Sequence, residues 1–390
     1  MAEALITPDV LVWARERAQF TVDRLSAKLH TQTEKLNAWE RGELKPTFKQ
    51  AQDLAKKLHI PFGYLFLSQP PKETLPLPDL RTINNKEPKS ISPNFRELLN
   101  EIKLKQEWYK EYAIKNGEEL FEYLGKFSIN DKVEKVADSI RYALNVTDKE
   151  RQKSFKRADY LKLLTQKIEA LGILVMRNSI VGSNTHRPLK VEEFRGFAIS
   201  DSYAPLIFLN SSDANSAKIF TLIHELAHLW IDRSGISSVE LDEIDNNQTE
   251  RFCNAVSAEV LVPQRDFLGL WSESEYFENN IMITANYFKV STFVTARRAF
   301  DSGLIDKVTF FDYYKRESER FEQRRKYEKK ENKSGGNYYD TTRTRLGNRF
   351  SQAVIVSTLE GETLYREAGN LLNINPSKLT SFAKNMKVIK

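Results

Sequence analysis

The stretch "FTLIHELAHLWID", residues 220–232, decides how this chain is read. Nine of its thirteen residues are apolar or small, yet His224, Glu225 and His228 sit in the middle. Burying such groups is costly unless each finds a partner. On a helix, positions four apart lie about 40° apart in projection and one turn along, so both imidazoles point the same way and can grip one ion. Glu225 lies about 100° from His224, outside the ligand shell but close enough to a water on the ion to act as general base. The spacing His-Glu-x-x-His is that of zinc hydrolases. The expected cofactor is Zn2+, with Glu225 as the catalytic base.

A catalytic zinc site takes three protein ligands. No histidine follows His228, so the third ligand is a carboxylate or the single cysteine, Cys253. The candidates are Glu240, Asp242, Glu243, Asp245, Glu250 and Glu259. The segment "TERFCNAVSAEVLVP" (249–263) reads as a helix stopped by Pro263. On it Glu250, Asn254 and Ser257 form a narrow polar stripe, and Glu259 lies about 180° from Glu250. A polar stripe on an otherwise apolar helix suits a side that faces a site. Glu250 is therefore the expected third ligand, and Cys253 is expected in the core. The acidic run 240–245 reads as a solvated loop.

Working outward, "LGILVMRNSIVG" (171–182), "FRGFAIS" and "PLIFLN" read as strands, short apolar runs with β-branched residues. "PLIFLN" is expected as an edge strand, able to receive an extended peptide by strand addition. Six prolines between 69 and 94 forbid a continuous helix and mark a linker. Residues 315–333 are densely charged and read as a solvated helix, and "SGG" (334–336) breaks the chain. In the last segment "AVIVSTL" (353–359) reads as a strand.

The motifs resemble those of the ImmA/IrrE-type metallopeptidases. "FTLIHELAHLW" matches that family's first motif, and "ERFCNAVSAEVLVP" its second, with Cys253 at a usual Ala and Val256 at a usual Phe. The resemblance implies His224, His228 and Glu250 as metal ligands, Glu225 as catalytic residue and Asn254 as a supporting residue behind them. It also implies a zincin-like fold and cleavage of a transcriptional repressor or another regulatory protein. Residues 11–67 resemble the Cro/repressor class of helix-turn-helix domains, through "WERGELKPT" (39–47) and the apolar spacing of Leu25, Leu29, Leu36, Trp39, Leu54 and Leu58. The recognition helix would run from about Gln32 to Glu40, with Thr33, Glu34, Lys35 and Asn37 toward DNA. His30 stands where that class has a turn glycine, at a position favouring positive φ. Ten Lys/Arg against eight Asp/Glu in residues 1–67 make phosphate attraction weak.

The expected fold class is α+β, mostly helical. The expected domains are a helix-turn-helix bundle at 1–68, a proline-rich linker at 69–94, a helical connecting region at 95–165, a zinc metallopeptidase domain with a small sheet at 166–312, a charged helix and linker at 313–336, and a small C-terminal unit at 337–390. The single cysteine and the absence of a signal-like or membrane-spanning run point to a soluble cytoplasmic protein. The net charge of +6 is compatible with nucleic acid. Expected partners are a regulatory protein substrate or cognate toxin, and operator DNA, on which a homodimer would match a palindrome. The alternative is an antitoxin or repressor whose zinc fold only holds a toxin.

Overall fold

The computed structural model describes residues 2–72, 91–232, 235–237, 248–331 and 338–389. The chain forms two compact units, Met1–Ile102 and Lys103–Lys390. Most of the linker expected at 69–94, the acidic run 240–245 and the "SGG" break lie outside the described residues.

In the first unit, α1 (Pro8–Arg17), α2 (Val22–Leu29), α3 (Thr33–Glu40) and α4 (Phe48–Leu58) are followed by a 3-10 turn, Phe62–Phe66. Local chemistry sets the boundaries. Thr21 Oγ1 accepts from Arg24 N at the start of α2, and Thr47 with Gln50 forms a capping box on α4. Leu11, Leu25, Leu36, Trp39, Leu54 and Leu58 close the core. Arg15 pairs with Glu40 at 2.6 Å beside it. α5 (Pro93–Lys115) begins on a proline, where the missing N–H costs a helix nothing.

The second unit continues with α6 (Val133–Leu144), α7 (Asp148–Lys153) and α8 (Arg157–Ala170). A small sheet follows. Its strands include β1 (Leu174–Asn178), β4 (Gly196–Ile199) and β5 (Leu206–Asn210), and between β1 and β4 in the chain a separate two-stranded hairpin is made by β2 (Ile180–Val181) and β3 (Asn184–Pro188). Then come α9 (Asn215–Trp230), β6 (Gly235–Ser237) and α10 (Gln248–Leu261), with Pro263 just beyond. The rest is helical: α11 (Gln264–Leu270), α12 (Phe277–Phe288), α13 (Thr292–Asp301), α14 (Lys307–Glu331), α15 (Tyr338–Leu346), α16 (Asn348–Leu359), α17 (Tyr365–Leu372) and α18 (Leu379–Asn385). The protein is α+β and mostly helical.

The main sheet has the order β1-β5-β4-β6, with β1 parallel to β5 and the other pairs antiparallel. This corrects one expectation. β5, the strand of "PLIFLN", is interior, hydrogen-bonded on both sides, so it cannot accept a peptide strand. All five of its residues are buried, as a strand covered on both faces requires. β1 and β6 are the edges, and α15 and α16 pack against β1.

The second correction concerns "AVIVSTL", which lies within α16 rather than in a strand. Its β-branched Val354 and Ile355 are buried, together with Phe350 one turn earlier on α16. Its hydroxyls donate one turn back, Ser351 to Gly347 O at 2.7 Å and Thr358 to Val354 O at 2.6 Å. Tertiary burial overrides local propensity here. The charged segment is helical as α14. No helix among the described residues is long and apolar enough to cross a membrane.

Candidate metal centre

α9 is apolar almost all round because it is covered on every side: β4 and β5 on one face, α6, α8 and α10 on the others. Every residue from Ile219 to Trp230 is buried. Trp230, at its end, stacks on Tyr123 with centroids 4.8 Å apart and donates to Ser139 Oγ. The three polar residues are as dry as their neighbours, with His224 and Glu225 at 0% exposure and His228 at 1%. Solvent therefore cannot satisfy them.

α10 lies against α9 and brings Glu250 to the two histidines. His224 Nε2 is 3.0 Å from Glu250 Oε2, His228 Nε2 is 3.2 Å from Glu250 Oε1, and the two Nε2 atoms are 3.1 Å apart. Each Nε2 carries at most one proton, so the three contacts cannot all be hydrogen bonds at once: one is left with two lone pairs or two N–H groups facing each other. A cation removes the conflict. Donors bound to zinc at about 2.0–2.1 Å in a tetrahedron are about 3.3 Å apart, close to the spacings seen. The two-nitrogen, one-oxygen donor set also suits zinc or a similar divalent ion. The residues fit a metal.

The electrostatics of the cluster follow from its packing. Burial alone would push the Glu250 carboxyl up, but hydrogen bonds and charge from His224 and His228 hold it well below the usual carboxylate range. Burial opposes protonation of His228, yet the Cys253 sulfur and the Glu250 carboxylate beside it outweigh this and raise its pKa. Cys253 is a free, fully buried thiol.

The other candidates separate cleanly. Glu259, on the far side of α10, pairs with Arg298 at 3.0 Å and Arg141 at 3.7 Å and accepts from Gln264 N. It ties α10 to its neighbours and is not in the cluster. Asn254 keeps Oδ1 buried with no hydrogen-bond partner, and it is not one of the three converging donors. Ser257 is spent on Cys253 O at 2.7 Å. Glu240, Asp242, Glu243 and Asp245 lie outside the described residues.

Two site residues were not anticipated, Gly196 on β4 and Thr221 on α9. A Cβ at Gly196 would stand 2.6 Å from Thr221 Cγ2, 3.0 Å from Phe208 O and 3.1 Å from Glu225 Oε1. The bare backbone of β4 thus passes directly beside the Glu225 carboxylate. The signal was present in "FRGFAIS": an isolated glycine inside a strand pattern marks a close backbone approach.

In the first unit, Glu34 and Lys35 are exposed on α3 while Thr33 and Asn37 are half-buried. Thr33 Oγ1 lies 3.1 Å from Ser26 Oγ and donates to Asp23 Oδ1, so the fold itself engages it. Lys35 Nζ sits 5.6 Å over the Trp39 ring. His30, at φ 50°, adopts the left-handed conformation.

Residues 168–300 match the peptidase M78 family model, described as an IrrE N-terminal-like domain. This segment is therefore a zincin-like, metallopeptidase-related domain, and it contains both halves of the cluster. Residues 346–385 match the model of a domain of unknown function (DUF8813). No curated protein and no solved structure matches the chain.

Proposed function

We propose that the IrrE-like domain is a zinc-dependent endopeptidase that cuts a specific regulatory protein, a repressor or a toxin partner, inside the cytoplasm. His224, His228 and Glu250 would hold the ion. When bound, the ion supplies Lewis-acid chemistry: it polarises a carbonyl and acidifies water. Glu225 takes up the proton of the attacking water and delivers it to the leaving amine. β4 keeps that carboxylate in place, because nothing but backbone fits between the strand and α9 at Gly196. The first unit would serve as a helix-turn-helix that brings the enzyme to an operator or to its protein partner.

One observation carries this reading: Glu225 is retained, fully buried, beside a three-donor cluster. A platform that only held a toxin would have no chemical use for a base there. The test is Glu225→Gln in the full chain, incubated with the protein that co-purifies with it. Cleavage of that partner is expected to stop while metal content and partner affinity stay as in the parent. Undiminished cleavage would defeat the proposal. Undiminished repression or toxin neutralisation without any cleavage in the parent chain would favour the holding role.

A further inference from the structure

The described residues contain one recurring corner. A helix ends on a non-glycine residue in the left-handed conformation, one residue follows, and the next is the N-cap of another helix. It occurs at His30, His59, Asn145, Lys289 and Asn373. Two of the five match closely. α2 and α17 are both eight residues long. Their caps have φ 50° and 53°. The backbone bonds Thr31 N to Ser26 O and Ile374 N to Gly369 O are both 3.0 Å. Leu36 and Trp39 are buried after the first corner, and Leu379 and Phe382 at the same offsets after the second.

The corner alone is generic, and what differs is the face it presents. At Lys289 the following helix, α13, buries Val294, Thr295, Ala296 and Ala299. After Asn373, the helical path Pro376–Asn385 turns Ser377, Lys378, Thr380, Ser381 and Lys384 outward. From 375 to 390 the sequence holds four lysines and no acidic residue. The equivalent sixteen residues after the first corner, 32–47, hold three basic and three acidic residues. Gly369 explains how α17 fits its turn, since a Cβ there would meet Pro376 Cγ at 2.8 Å and Ile374 O at 3.0 Å.

We infer that α16–α18, the segment matching the domain of unknown function, is a second helix-turn-helix and that it docks on duplex DNA. α16 and α17 brace α18, which together with the turn before it presents Ser377, Lys378, Thr380, Ser381 and Lys384 as a basic, hydroxyl-rich face suited to a major groove with phosphates on either side. The site is independent of the metal centre and of the first unit's α3.

The test is fluorescence anisotropy of the full chain on a labelled random-sequence 30-base-pair duplex, titrated at several salt concentrations. Lys378→Glu/Lys384→Glu alters two exposed positions, of which Lys378 also sits 4.7 Å over the Tyr338 ring, so Lys384→Glu alone is measured beside it. The double variant is expected to weaken binding about tenfold or more and to lower the salt-dependence slope by about 2. Ser381→Lys is expected to tighten binding about threefold by adding a phosphate-facing charge. Affinity and slope unchanged in all three variants would overturn the inference, whether the parent binds through α3 or not at all. So would a preference for single-stranded RNA of equal length.

Discussion

Gly196 and Glu225 share a space with room for backbone only. Any side chain on Gly196 must displace Thr221, the β5 carbonyl of Phe208 or the Glu225 carboxylate itself. Of these, the Phe208 carbonyl is backbone and cannot yield cheaply. Gly196→Ala is therefore expected to cost about 1–3 kcal/mol by overpacking and to slow partner cleavage further by shifting Glu225. Thr221→Ser, which deletes the nearest methyl, is expected to recover part of the loss in the double variant. Thermal unfolding and cleavage rate of the four forms measure this. A Gly196→Ala chain as stable and active as the parent would show that the approach is looser than described.

The cluster makes a prediction about protons. A carboxylate whose folded pKa is depressed, as for Glu250, contributes stability above its unfolded value of about 4.3, lost as pH falls through the folded value. An imidazole whose folded pKa is raised, as for His228, contributes stability fully present below about 6.5 and lost as pH rises through the folded value. The metal-free protein thus draws most from this pair between about pH 4.3 and 6.5. The raised pKa of His228 favours its protonated form in the metal-free protein, whereas a metal ligand must be neutral. Zinc uptake at pH 7 is expected to release about one proton per ion, read by calorimetry in two buffers of different ionisation enthalpy. Zinc at one hundred times its dissociation constant would add about 2.7 kcal/mol, which a chelator removes. Uptake with no proton release would contradict a raised His228 pKa.

What was legible in the sequence divides along physical lines. The two imidazoles and Glu250 were readable because helical geometry fixes projection angles, and because a buried helix with few polar residues leaves few choices. Glu259 was also separable by angle, and its ion pairs with Arg298 and Arg141 give the reason it is buried. The interior place of β5 was not readable, since a short apolar run fits an edge or a centre equally. "AVIVSTL" misled for a related reason. Its β-branched run carries a strand's local preference, and only contacts far away in sequence make it a helix. Gly347 just before α16 stands where a Cβ would come within 2.6 Å of Val175 O on β1. Such a contact between residues more than 170 apart leaves no local trace.

Arg349 is expected to clip the C-terminal helices to the rest of their unit. Its Nε donates to Tyr109 OH at 2.6 Å, its guanidinium pairs with Glu118, and its backbone N–H donates to Glu169 Oε1 at 3.2 Å. Asn348 Nδ2 reaches the other Glu169 oxygen at 3.3 Å. Arg349→Leu removes the side-chain bonds and leaves the Tyr109–Glu118 contact without its cation. A loss of about 1–3 kcal/mol is expected, typical for hydrogen bonds to charged groups. Hydrogen exchange should quicken in α16 and α5 before it does in α10. Uniform exchange rates across the unit would show that Arg349 fastens nothing in particular.

The corners at His30 and Asn373 allow a matched comparison, because the backbone is nearly the same and the residue differs. Their φ values are 50° and 53°. A left-handed conformation costs an ordinary residue roughly 1–2 kcal/mol, while Asn tolerates it through its short polar side chain. Glycine removes that cost but adds freedom to the unfolded chain, roughly 0.4–1 kcal/mol in the other direction. His30→Gly is therefore expected to stabilise its unit by roughly 0.5–1 kcal/mol, slowing amide exchange in α2 and α3 about threefold. Asn373→Gly is expected to change exchange in α17 and α18 by less than that, in either direction. The difference between the two variants is the measurement, since both share the unfolded-state term. An equal response at both corners would mean that His30 carries no strain, and that its side chain is as well suited to the turn as Asn373.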